Sequence, residues 1–180
     1  MQITLGENKK HQNNLTFIIY YLYSYILRMI NFSMEQNILQ LKNKIKELLD
    51  QQKFGVLATQ GEKYPYNTLV AYAFSEDLRY IFFATMKHTR KYNNIMKHHH
   101  VSMLIDSRTN DIADFKDAVA LTIMGKMANN TSLEYRGLYL NRFPNLKGFI
   151  EDPNTTIITL KIDKYIYVQR FQEVLELDIN

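Results

Sequence analysis

From Met34 onward the chain alternates two hydrophobic rhythms. Ile38, Leu41, Ile45, Leu48 and Leu49 recur at intervals of three and four, which predicts an amphipathic helix running to about Gln52. Ser33 and Gln36 stand at the spacing of a capping box for its start. The rhythm then shortens to two. Residues 54–59 (Phe-Gly-Val-Leu-Ala-Thr), 64–74 (Tyr-Pro-Tyr-Asn-Thr-Leu-Val-Ala-Tyr-Ala-Phe) and 80–85 (Tyr-Ile-Phe-Phe-Ala-Thr), broken by polar turns, predict a β-meander. Further strands are predicted at 101–106, 118–126, 155–162 and 165–171, and helical segments at 132–143 and 145–150. No Gly- or Ser-rich linker divides this stretch. The order helix, hairpins, helix, strands, helix, strands predicts a mainly β fold with flanking helices (α+β), an antiparallel barrel closed so that no strand edge is exposed.

The sharpest chemical signal lies where the meander ends. After Thr85 the sequence reads Met-Lys-His-Thr89-Arg90-Lys91, and Tyr92, Ile95 and Met96 then share one helical face. Thr89 is the expected N-cap. Two cations in a first turn oppose the helix dipole, which favours acids there, so a bound anion is expected. Free N–H groups, hydroxyls and cations together suit a phosphate monoester.

This arrangement resembles the pyridoxamine 5'-phosphate oxidase family of FMN-binding split β-barrels, whose members carry a strand ending in Thr, a short loop and Ser/Thr-Arg-Lys opening a helix. The likeness covers roughly residues 35–171 and continues through residues 101–106 and 118–126, the latter similar to the family's long barrel strand with its Gly125. It implies FMN as cofactor in preference to FAD, with Thr85, Thr89, Arg90 and Lys91 at the ribityl phosphate. It also implies that the backbone of the strand containing Thr68, Leu69 and Val70 lines the isoalloxazine edge, and that FMN sits at a homodimer interface. The implied activity is an FMN-dependent oxidoreductase acting on a small molecule, with no catalytic residue nameable. The alternatives are a non-catalytic flavin-binding module, or a relative using deazaflavin or haem. Genuine pyridoxamine-phosphate oxidation is not expected: Thr68 and Ala73 stand where the oxidase has an arginine and a lysine, and the C-terminal Arg-x-His element is absent. Tyr139 and Arg142 fall near the oxidase's substrate-binding Tyr and Arg, one residue out of register.

Composition narrows the classes further. With 180 residues, 46% of them hydrophobic, the chain fits one domain with a core, and two would be cramped. A net charge of +4, spread rather than clustered, argues against nucleic acid as a partner. The absence of cysteine removes disulfides, thiolate metal sites and Cys nucleophiles. His98, His99 and His100 are consecutive, which is poor metal-ligand geometry, so no metal site is expected. The Asn-x-Thr matches at 14–16, 129–131 and 154–156 are discounted as chance, and residues 106–111 read as a polar loop satisfying its own turns.

Residues 1–33 lie outside the barrel pattern. Residues 15–30 are aromatic-rich but number fewer than the ~20 needed to span a bilayer as a helix, and Arg28 interrupts them. No small-residue cleavage site follows. The expected division is a dispensable extension or mis-assigned start, 1–33, and a flavin-binding domain, 34–180. The expected location is the cytoplasm with membrane association unfavoured, the minority reading being a chain anchored by residues 15–30.

Overall fold

The computed structural model describes residues 6–128, 133–170 and 172–179. The Asn-x-Thr match at 129–131, Ser132 and Phe171 lie outside the described residues. By its internal contacts the chain divides into Met1–Gln40 and Leu41–Asn180. The long helix α1 (Gly6–Gln51) begins far upstream of the expected start, so Ser33 and Gln36 are helix-interior positions and form no capping box. Over the first unit α1 exposes Phe17, Tyr20, Tyr21, Leu22, Tyr23, Tyr25, Ile26, Met29 and Ile30. Among the described residues no helix is long and apolar enough to cross a membrane.

The second unit is a curled antiparallel sheet whose concave side is filled by the last turns of α1. Its strands are β1 (Phe54–Gln60), β2 (Pro65–Ala71), β3 (Ala73–Phe74), β4 (Tyr80–Met86), β5 (His100–Asp106), β6 (Ala120–Met127), β7 (Thr155–Gln169) and β8 (Glu173–Asp178). They run in the order β2-β1-β5-β6-β7-β4-β3, with β8 added to β7. The end strands β2 and β3 do not pair, so the barrel is split, as the family resemblance implied, and the closure expected from the strand pattern alone is not made. Helix α2 (Arg90–Lys97) follows β4, the short α3 (Asp114–Asp117) follows β5, and α4 (Leu133–Arg142) and α5 (Lys147–Glu151) precede β7.

Leu41, Ile45, Leu48 and Leu49 are buried against Leu57, Ile81, Phe83, Met103, Leu121, Leu160 and Tyr165. Each such side chain removed from water contributes about 1.5–3 kcal/mol. A smaller cluster, with Tyr139, Phe143 and Ile150 packed on Ala73, Phe82 and Ile157, seats α4 and α5 on the other face of β3 and β4. Two predicted elements differ. Residues 64–74 break into β2 and β3 because Tyr72 turns inward, fully buried, its hydroxyl donating to the Leu49 and Gln52 carbonyls. The two last predicted strands are one: β7 is 15 residues long, and its two halves face different neighbours, β4 over Thr155–Lys161 and β8 over Lys164–Gln169. A bulge in β7, where Asp163 is the extra residue opposite the Met124–Gly125 step of β6, takes up the change of direction. Gly125 is required there, since a Cβ would run into the Lys161 carbonyl.

Candidate functional site

Helix α2 is fixed against the sheet by two side chains on one flank. Ile95 is fully buried in the core, and the Asn94 amide donates to Thr59 Oγ1 on β1 at 3.0 Å. This aims the start of α2 at the open end of β4 and the β2 edge. Thr89 occupies the N-cap with extended backbone, but its hydroxyl does not bond back to the helix. It donates instead to the Met86 carbonyl at 2.9 Å and meets Thr85 Oγ1 at 3.0 Å. The first turn contains no acid. The backbone N–H groups of Arg90, Lys91 and Tyr92 therefore have no acceptor among the described residues, as at any uncapped helix start.

The two cations leave the helix at consecutive positions, roughly 100° apart. Arg90 is exposed and lies over the Tyr66 ring, 5.2 Å from its centroid. Lys91 is half-buried, and burial alone holds its ammonium below the usual lysine pKa. No carboxylate pairs with it among the described residues. A partly desolvated, unpaired cation in the first turn of a helix whose first three N–H groups are free is the chemistry that suits an anion.

Strand β2 brings up the second expected group. It pairs only with β1, so half its backbone N–H and C=O groups face away from the sheet. Thr68 is half-buried, Leu69 is 63% exposed, and Val70 points into the core. Leu69 lies opposite Val56, and Val56 opposite Leu104 across β5. With Met124 these form an apolar strip on the outer face of the sheet, Leu69, Leu104 and Met124 being exposed.

The sequence did not single out Tyr66, His88, Asn94 or Lys97. With Arg90 they border a cavity of about 580 Å³ between α2 and the β1–β2 loop. The spacing of Arg90, Asn94 and Lys97 on one helical face was the available signal. The histidines at 98–100 are exposed and lie beyond the C-terminal end of α2, and among the described residues no group of His, Asp and Glu could hold a metal.

Tyr139 and Arg142 are structural. The Tyr139 hydroxyl donates to the Ala71 carbonyl inside the smaller cluster. Arg142 closes the C-terminus of α1: its guanidinium donates to the carbonyls of Leu49, Asp50 and Gln52, pairs with Asp50 at 3.3 Å, and lies over Tyr72 and Phe74. Neither residue is free to hold a substrate.

The pyridoxamine 5'-phosphate oxidase family model matches residues 41–169. The chain belongs to that family. No curated protein sequence matches. Among solved structures, the chain is similar to general stress protein 26 from Bacillus anthracis str. Sterne at 23% identity, covering 76% of this chain and 98% of that one, with a TM-score of 0.58. It is also similar to an FAD-binding protein from Mesorhizobium loti (16% identity, 69% and 89% covered, TM-score 0.56). A haem-binding protein from Mycobacterium smegmatis superposes at 15% identity and a TM-score of 0.64, with 73% of this chain covered; the chain spans 55% of that protein's length. At these identities the superpositions establish the split-barrel fold.

Proposed function

We propose that the chain is an FMN-binding flavoprotein and an oxidoreductase for a small molecule other than pyridoxamine phosphate. The observation that carries the reading is the start of α2, where half-buried Lys91 and the N–H groups of Arg90, Lys91 and Tyr92 lack any anionic or carbonyl partner among the described residues. A terminal phosphate supplies both the charge and the acceptors that these groups lack. Lys91 and the helix N-terminus would hold that phosphate, Arg90 would swing from Tyr66 to close over it, and Thr89, steadied by Thr85, would add a hydroxyl. The free backbone edge of β2 at Thr68, Leu69 and Val70 would meet the polar rim of the flavin ring. Bound flavin supplies the hydride chemistry, and the chain supplies orientation and shielding from water.

A homodimer is part of the proposal. The strip formed by Leu69, Leu104 and Met124 is exposed in one copy, and pairing two copies across it removes apolar surface from water beside the β2 edge. Thr68 and Ala73, in place of cations, leave no second phosphate grip on β2 or β3, which supports a substrate other than a phosphorylated pyridoxamine.

The test is the absorption spectrum of the purified protein followed by fluorescence titration with FMN and riboflavin. The expected result is a flavin spectrum or saturable loading by FMN, with riboflavin at least tenfold weaker. Equal affinity for the two would remove the phosphate from the argument. Turnover with a reductant then separates an oxidoreductase from a flavin carrier.

A further inference from the structure

We propose that the cavity between α2 and the β1–β2 loop binds a nucleoside diphosphate group beside the flavin phosphate. This rests on the flavin reading for its placement but not for the binding itself. The cavity measures about 580 Å³, within the ~300–1,000 Å³ of small-molecule sites. Its walls combine two kinds of chemistry. Lys63, Arg90 and Lys97, with the His88 imidazole, supply cationic and donor groups against one carboxylate, Glu62. Tyr64 and Tyr66 supply ring faces.

In the free protein these groups are occupied with one another. Lys63 lies over Tyr64 at 5.3 Å, Arg90 lies over Tyr66 at 5.2 Å, and Lys97 pairs with Glu62 at 3.3 Å. Each contact is solvent-exposed and weak. A ligand with an aromatic base and a diphosphate replaces all three with stronger ones: the base stacks on a tyrosine, and the phosphates take the lysines. A bare polyphosphate leaves the rings unused, and a neutral aromatic leaves the cations unused. The loop is built to hold this shape. A Cβ at Gly61 would lie 2.6 Å from the Tyr64 carbonyl oxygen, so the tight turn that presents Lys63 and Tyr64 depends on that glycine. Arg90 borders both the cavity and the start of α2, which sets the diphosphate next to the flavin phosphate.

Two sources offer this group: the adenylyl half of a flavin dinucleotide, or a separate adenine nucleotide such as a dinucleotide reductant. Isothermal titration of the flavin-free full chain with ADP tests the shared chemistry. Saturable binding is expected, weakened about tenfold in Lys97→Ala and in Tyr64→Ala, as the loss of one charged contact or one stacked base implies. FMN affinity should stay unchanged in both variants. ADP binding to the FMN-loaded protein assigns the site to a separate nucleotide. Exclusion of ADP by FAD but not by FMN assigns it to the flavin's own adenylyl half. No saturable ADP binding, equal binding of inorganic pyrophosphate, or ADP affinity in both variants equal to that of the unaltered chain would overturn the proposal. Failure to bind FMN while ADP still binds would overturn the flavin reading and leave this one standing.

Discussion

Replacing Lys91 with alanine isolates the term on which the flavin reading depends. In the free protein its ammonium is partly stripped of water and has no carboxylate partner among the described residues, and burial has already lowered its pKa below 10.5. A phosphate dianion therefore gains a charge-assisted hydrogen bond without first desolvating an exposed group. That bond is worth about 1.5–3 kcal/mol, or roughly 10- to 150-fold in affinity. Arg90 starts from a different position. It must leave the Tyr66 ring, which offsets about 0.5–1 kcal/mol, so Arg90→Ala should cost less, about 1–2 kcal/mol. The expected order of FMN dissociation constants in a fluorescence titration is Lys91→Ala weakest, then Arg90→Ala, then the unaltered protein. Riboflavin should be nearly indifferent to both changes. Folding stability should not fall on electrostatic grounds in Lys91→Ala: a lysine whose folded pKa is depressed destabilises the fold below that pKa and is relieved as pH rises toward 10.5. The reasoning is refuted if the Lys91→Ala protein binds FMN within twofold of the unaltered chain while His99→Ala, beyond the other end of α2, is the damaging change.

Three further outcomes are expected. FMN affinity should peak between about pH 6, where a phosphate monoester gains its second charge, and the depressed Lys91 pKa; it should fall on the alkaline side before pH 10.5, and that alkaline fall should vanish in Lys91→Ala. Arg142→Ala should lower unfolding free energy by about 1.5–3 kcal/mol in urea melts, because three carbonyls at the end of α1 lose the guanidinium together and only Leu49 and Gln52 keep the Tyr72 hydroxyl, and a mutant as stable as the parent would contradict the capping role. A chain starting at Met34 should remain dimeric and load FMN as the full chain does, since Leu41, Ile45, Leu48 and Leu49 supply the core contacts of α1; recovery of the cellular protein only in membranes with residues 1–33 retained would reverse this view.

The strand–turn–helix element was legible because local chemistry dictates it. Thr85 ends a β-rhythm, Thr89 takes the N-cap position, and two cations follow where acids belong, so the element and its uncompensated charge were visible before any tertiary contact was known. Long-range contacts hid the rest. Tyr72 continues the alternation of its neighbours in sequence, and only the fold supplies the Leu49 and Gln52 carbonyls that take its hydroxyl where the strand ends. Arg142 carries the same charge whether it meets a ligand or caps a helix 90 residues away, and only the fold distinguishes these. The cavity beside α2 escaped notice for a related reason: Tyr66 and Lys97 lie on separate elements, joined by the Asn94–Thr59 hydrogen bond.

The placement of β7 has a consequence for biosynthesis. This strand joins β6 to β4 and also carries β8, yet it is the next-to-last strand to leave the ribosome. Until residue 169 has emerged, β4 and β6 each keep an edge waiting for a partner more than 30 residues downstream. Such non-local pairing is slow to form and leaves nascent chains open to edge-to-edge aggregation. A premature stop or a proteolytic cut just before Thr155 therefore removes the strand that joins the two halves of the sheet, although every residue proposed to hold the flavin phosphate has already been made.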